Sequence, residues 1–222
     1  NIDIIYLIFA VILLWLCIWF RGMRWRLFFS KNRIPSNVSL YRAQFIGAFG
    51  NNVLPLRLGE VLRAHVIGQE YTISKSYVFG TIVVERLIDT LSLASLGFLL
   101  IMIYPIDQTI SNYIIWGGVL SFLIIISMFL VLNFIKSDQI YNNKLLKIFN
   151  NILQGLKSIK REILIPLIIL SISIWSIYIL DIYLLQKAFK FNLNWSQVLT
   201  ILVISSLVLA IPSAPGMIGT FH

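Results

Sequence analysis

The chain is poor in the residues that carry most protein chemistry. It has one cysteine, Cys17, and two histidines, His65 and His222. One thiol cannot close an internal disulfide, and so few soft ligands give no metal-binding set. No glycine-rich phosphate loop, zinc-hydrolase motif or serine-nucleophile elbow is legible. No catalytic residue, no metal and no cofactor is predicted. Charge is scarce as well, at 12% of residues against about 25% in a soluble domain. The few charges are lopsided, giving a formal +9. In a soluble protein that excess would point to nucleic acid. Here Lys and Arg gather beside apolar runs, where membrane topology is the ordinary cause, so no nucleic-acid partner is predicted. Attraction to anionic headgroups is a weaker second reading of the same charge.

What the sequence has in abundance is apolar length. Hydrophobic residues make up 59% of it, and several runs reach the roughly 20 residues that a helix needs to cross a bilayer. These runs are apolar on every face, which excludes a barrel strand pattern. The fold class is therefore all-α, a polytopic membrane helix bundle. The first run, 2-IDIIYLIFAVILLWLCIWF-20, has no basic leader and no small-residue cleavage site, so it reads as a span. Four full spans are predicted, at 2–22, 77–103, 113–135 and 163–187. Two further apolar segments, 40–55 and 197–212, are short or broken. The chain opens at Asn1 and stops within 215-PGMIGTFH-222. It is expected to be one domain over 1–222 and a segment of a longer protein; the family resemblance given below implies an earlier helix and later ones that it lacks.

Charge parity sorts the loops. Arg21, Arg24, Arg26, Lys31 and Arg33 follow the first span and predict a cytoplasmic loop. The link 104-YPIDQTISN-112 has no Lys or Arg and is predicted to be external. Lys136, Lys144, Lys147, Lys157, Lys160 and Arg161 make 136–162 cytoplasmic. If 40–55 crossed fully, both neighbouring loops would invert this rule. If it enters and turns back at Pro55, every loop agrees, so a re-entrant segment is predicted. The segment 197–212 then enters from the opposite side and meets a second break, 212-PSAPGMIG-219. Two broken helices converging from opposite leaflets suggest an inverted repeat around a binding site. An ordinary span ending at Pro212 is the alternative. Within 136–162, the run 144-KLLKIFNNILQGLKSIKRE-162 has helical apolar spacing with a basic opposite face. It predicts a helix lying in the interface, serving chiefly as a connector.

The chemistry gathers in two stretches, 51-NNVLPLRLGEVLR-63 and 85-ERLID-89. With Lys75 near the surface, Glu85 lies about 15 Å deep, close to the middle of a hydrocarbon layer about 30 Å thick. A charge facing lipid there costs between about 3 and over 10 kcal/mol, so these side chains must face protein or water. Glu85 and Asp89 share a helix face at i, i+4, and two like charges in low dielectric demand cations or a proton. Arg86 can pair with Asp89, and Arg57 or Arg63 of the broken segment can supply the rest. Glu60 completes the set. A salt-bridge network that only fixes helix packing is the competing reading. Asn51 and Asn52 are expected to cap broken backbone or touch a headgroup. Asp181 is expected to reach the external interface, and His65 to lie on a surface. Several tryptophans stand where interfacial anchors are expected.

At these residues the sequence resembles the lysylphosphatidylglycerol synthase transmembrane, or flippase-like, family. The matching pieces are 24-RWRLFF-29, 51-NNVLPLRLGEVLRA-64, 85-ERLID-89 and 212-PSAPGMIG-219, in that order through nearly the whole chain. The last motif departs from the family, with Met217 where members commonly repeat the glycine and His222 near their acidic position. The resemblance implies a helical fold with re-entrant elements and, in the best-known members, movement of an aminoacylated phospholipid between leaflets. Other members are linked to glycolipid or isoprenoid-lipid pathways. Carried over, it marks Asn52, Pro55, Arg57, Gly59, Glu60 and Arg63, then Glu85, Arg86 and Asp89. Pro212, Pro215, Gly216 and Gly219 follow as a structural motif with Pro55 and Gly59.

The expected function is translocation of a phospholipid or glycolipid through a charged intramembrane cavity. Asn52, Arg57, Glu60, Arg63, Glu85, Arg86 and Asp89 are its headgroup-binding candidates. The expected partners are membrane lipids, either anionic or aminoacylated phospholipid or glycolipid, and a homo-oligomer is compatible. The expected location is the cell membrane, with several passes. An embedded enzyme or accessory subunit of a lipid-linked pathway, or a structural subunit, are the alternatives.

Overall fold

A computed structural model describes residues 2–30, 34–55, 58–134, 148, 151–155, 158 and 161–210. Among them the regular structure is helical, with no strand. Helix α1 spans Ile4–Arg26, α2 Asn37–Val53, α3 Gly59–Glu70, α4 Lys75–Ile103 and α5 Gln108–Phe134. After a 3-10 turn at Arg161–Ile163 come α6, Leu164–Ala188, and α7, Trp195–Ala210. Among the described residues, three stretches are long and apolar enough to cross a membrane: α1, α4 and the continuous Arg161–Ala188. Helix α5, 27 residues long, covers the described part of the third predicted span, 113–135.

Local chemistry explains the ends. Asp3 caps α1 by accepting from the Ile5 N–H, and Ser36 caps α2 by accepting from the Ser39 N–H. Side-chain oxygens at these positions satisfy N–H groups that have no partner inside the helix. Helix α2 stops because Pro55 forces its predecessor out of helical geometry, and Leu54 is extended at φ −98° and ψ 146°. The predicted break is therefore where the sequence reading put it. One boundary differs. The first span was expected to end at residue 22, with Arg21 and Arg24 at the start of a loop. The helix instead runs on to Arg26, because no proline or glycine pair interrupts it and both guanidiniums find buried partners.

Helices α1 and α6 run antiparallel. The Asp3 N–H donates to the Ala188 carbonyl at one end, while Trp25 and Leu167 share a buried cluster at the other. Helices α2 and α3 form an antiparallel hairpin whose open ends are clasped together. The Ser36 N–H donates to the Tyr71 hydroxyl at 2.8 Å, and the Ser39 hydroxyl to Glu70 at 2.7 Å. The hairpin closes tightly at its turn: a Cβ on Gly59 would strike the Gly47 carbonyl oxygen and the Asn51 amide. That contact is the physical reason for glycine in the predicted motif, since close helix approach leaves no room for a side chain.

Three buried clusters hold the bundle among the described residues, the smallest being Cys17, Ile174 and Ile177 between α1 and α6; the other two are larger. One joins α1, α2, α3, α4 and α6 around Trp25, Phe28, Leu40, Ile67 and Ile82. The other joins α4, α5, α6 and α7 around Leu93, Ile114, Trp175 and Leu202. Outside them, large apolar side chains such as Ile8, Phe98 and Ile165 stand exposed, the surface expected of helices solvated by lipid. Of the predicted interfacial helix, residues 151–155 are helical and pack on α4 at Gly80. The remainder of that prediction falls largely outside the described residues, as does the second break with Pro212, Pro215, Gly216 and Gly219.

Candidate functional site

Helix α4 carries Glu85, Arg86 and Asp89 within little more than one turn, and the carboxylate pair is the problem to be solved. Helix α1 solves it. Arg21 and Arg24, spaced i, i+3, lie on one helix face and each bridges both carboxylates. Arg21 Nη2 is 3.0 Å from Glu85 and 3.9 Å from Asp89, while Arg24 Nη2 is 2.5 Å from Asp89 and 3.9 Å from Glu85. Arg63 reaches in from α3 to the other Glu85 oxygen at 2.7 Å. Its guanidinium also lies over the Trp25 ring, 4.3 Å from the centroid. A Cβ on Gly47 would strike the Arg63 side chain along this path, so that glycine gives the arginine its route.

The cluster grades from closed to open. Glu85 and Arg24 are wholly buried and Arg63 nearly so. Arg24 also donates to the Ser171 hydroxyl at 3.2 Å. On the other side Arg86 pairs with Glu60 at 2.9 Å and with Asp89 at 3.4 Å. Arg86 keeps 35% of its side-chain surface exposed, and Arg21 and Asp89 keep 20% each. Among the described residues, four guanidiniums thus face three carboxylates in this cluster.

The open side borders a cavity of about 590 Å³ between α1, α4, α6 and α7. Arg21, Arg86 and Asp89 line one part of it, and Trp175, Tyr178 and Asp181 line another. Its volume falls within the range of small-molecule sites, roughly 300–1,000 Å³. The chemistry it offers is hydrogen bonding and charge: planar, multi-donor guanidiniums matched to phosphate or carboxylate oxygens.

Of the predicted headgroup residues, Glu60, Arg63, Glu85, Arg86 and Asp89 come together here. Asn52 does not: its side-chain amide donates to the Ala48 carbonyl at 2.9 Å, one turn back along α2. Arg57 lies outside the described residues. Sequence reasoning missed Arg21 and Arg24 by counting them as topology charges. Their signal was the i, i+3 spacing directly continuing an apolar helix with no breaker between. Asp181 is also not at an interface as expected. It is 7% exposed and about two turns inside the end of α6.

The model of the lysylphosphatidylglycerol synthase TM region matches residues 1–222. This chain belongs to that family. A UPF0104 membrane protein of Methanocaldococcus jannaschii is 32% identical, covering 77% of this chain and 74% of the relative. A UPF0104 membrane protein of Methanothermobacter thermautotrophicus is 21% identical, covering 98% of this chain and 72% of its own length. No solved structure matches the chain. Within the lysylphosphatidylglycerol synthase TM family, then, this is a helical membrane protein consistent with a lipid-related role, and the charged cluster beside its cavity is the candidate site.

Proposed function

We propose that this protein spans the cell membrane several times and moves a phosphate-bearing lipid headgroup between leaflets through the cavity. The carrying observation is the pair of partly exposed guanidiniums, Arg21 and Arg86, at the cavity wall. A lipid phosphate would accept from both side chains, while its acyl tails stay outside in the hydrocarbon. Asp89 and Glu60 would hold the two arginines in position. The family supports the lipid, and the passage between leaflets is this reading's own step.

The α2–α3 hairpin supports a re-entrant segment on the cytoplasmic side, because both of its ends are tied together at Ser36 and Tyr71. Its turn would then bring Arg63 and Glu60 to the depth of Glu85 without crossing the membrane. Transport would be passive or ion-coupled.

The test is exchange of a fluorescent phospholipid between the leaflets of proteoliposomes. Arg86→Gln and Arg21→Gln are each expected to slow exchange at least tenfold while thermal unfolding in detergent stays within a few degrees. Exchange at the original rate would remove the assignment. One observation favours a second reading for part of the cluster. Arg24, Arg63 and Glu85 are buried in ion pairs with one another and with Asp89, so these three act in helix packing and not on a ligand.

A further inference from the structure

Helix α6 places Asp181 in the wall of the same cavity, 7% exposed. Its Oδ1 is buried with no hydrogen-bond partner, and the carboxyl has no ion pair among the described residues. The charged and titratable groups around it come from three helices. Arg21 comes from α1, Arg86 and Asp89 from α4, and Tyr178 from α6 itself, while the polar residues of α7 here are the uncharged Ser205 and Ser206. Both arginines are engaged elsewhere: Arg21 with Glu85 and the Tyr178 hydroxyl, Arg86 with Glu60 and Asp89. Lys187, the cation of α6, lies over the Tyr183 ring, 5.6 Å from its centroid.

A carboxylate left in this state is a costly buried group, and losing its charge is the usual escape. A phosphate against Arg21 makes the problem worse. It can accept from the Trp175 indole N–H, the other unpartnered buried atom of α6 at this cavity. It can do nothing for Asp181, since both groups are acceptors and both are anions. Tyr178, whose hydroxyl accepts from Arg21 Nη1 at 3.3 Å, stands one turn before Asp181. The two anions would therefore share one small space of low dielectric, where like charges disfavour each other.

Geometry separates the cations that could relieve this. A divalent metal ion needs several ligands, and no three His, Cys, Asp or Glu side chains come together among the described residues. An ammonium group in the cavity would leave the buried Oδ1 without a donor. A proton takes no space, and because both oxygens share the charge it neutralises the buried one as well. We propose that Asp181 binds a coupling proton, taken up when a phosphate-bearing lipid enters the cavity and released when the lipid leaves. The proton comes from water in the cavity and returns to water at the opposite surface, so lipid and proton travel together. Linkage is reciprocal: acid tightens lipid binding by the factor with which lipid tightens proton binding. This rests on the reading of Arg21 and Arg86 as the phosphate site, and it selects ion-coupled over passive transport.

The experiment is calorimetry of dihexanoyl phosphatidylglycerol binding to the purified full chain in detergent. Buffers of different ionisation enthalpy, between about pH 5 and 9, report the protons taken up. The phosphodiester of this probe does not titrate there, so any uptake belongs to the protein. The parent is expected to take up close to one proton per lipid, its affinity falling up to about tenfold per unit as pH rises. Asp181→Asn, which mimics the protonated carboxyl, should bind with little uptake and a flat pH profile. No uptake by the parent at any pH, or equal uptake by Asp181→Asn, would overturn the proton site. Binding that requires sodium and takes up no proton would overturn it in favour of a sodium site. Tighter binding of dihexanoyl phosphatidylethanolamine, lost in Asp181→Asn, would do so in favour of an ammonium site. In proteoliposomes with the interior about one pH unit more acid, the parent should enrich fluorescent phosphatidylglycerol in the outer leaflet at least about twofold. Asp181→Asn should leave it even, and an even distribution in the parent sinks the coupling. Arg86→Gln separates the two readings. Affinity weakened at every pH upholds the phosphate site whatever the uptake shows, and unchanged affinity removes the phosphate site alone.

Discussion

Two buried carboxylates in one bundle meet opposite fates. Glu85 on α4 is encircled by Arg21, Arg63, Arg86 and Arg24 at 2.7 to 3.9 Å. Asp181 on α6 has no ion pair among the described residues, although it is almost as deeply buried and borders the cavity whose wall carries Arg21 and Arg86. Burying a carboxylate costs several kcal/mol, and good geometry with opposite charge can repay it. Where repayment is complete, the group is part of the architecture. Where it is missing beside a cavity, the protein carries an unfavourable contact that a ligand can relieve. The difference separates the packing half of the charged cluster from the half that can do work.

Glu85→Gln tests the first half most severely. It leaves Arg63 and Arg24 buried with less compensation and is expected to destabilise by about 3–5 kcal/mol, read as a large drop in unfolding temperature in detergent. A variant as stable as the parent would break the contrast at once. Arg24→Met should cost about 3 kcal/mol for the same reason, because Asp89 and Ser171 lose their nearest donor. Gly47→Ala sharpens the comparison indirectly. Its methyl meets the Arg63 side chain and pushes the guanidinium off Glu85, an overpacking cost of roughly 1–3 kcal/mol in the same unfolding measurement. Asp181→Asn should show the smallest change and the opposite sign, from no effect to a gain of about 1 kcal/mol, since it removes an unpaired buried charge. If Asp181→Asn destabilises as much as Glu85→Gln, the two carboxylates are alike and the contrast fails.

Much of the fold was legible because its signals are local. Apolar length marked the helices, and Pro55 marked the end of α2 to within two residues. The i, i+4 spacing marked Glu85 and Asp89 as a pair needing cations, and Arg63 and Arg86 were correctly placed among the suppliers. Arg21 and Arg24 were not, because charge at the end of a span has two uses that look alike in sequence. A topology charge faces water, while a network charge faces a neighbouring helix. Asp181 was misread for the same reason, as a residue near an end and not one turned inward.

The sequence by itself determined that this chain makes long helices in a membrane, where one of them must break, and that its acids and bases at mid-depth require one another. These follow from backbone geometry and from the cost of charge in hydrocarbon, both set within a few residues. Tertiary structure alone decided which arginines answer Glu85, with Arg21 lying 64 residues away along the chain. It also decided that Asp181 has no such answer. Charge compensation acts through space, so it depends on how helices pack and not on how residues follow one another.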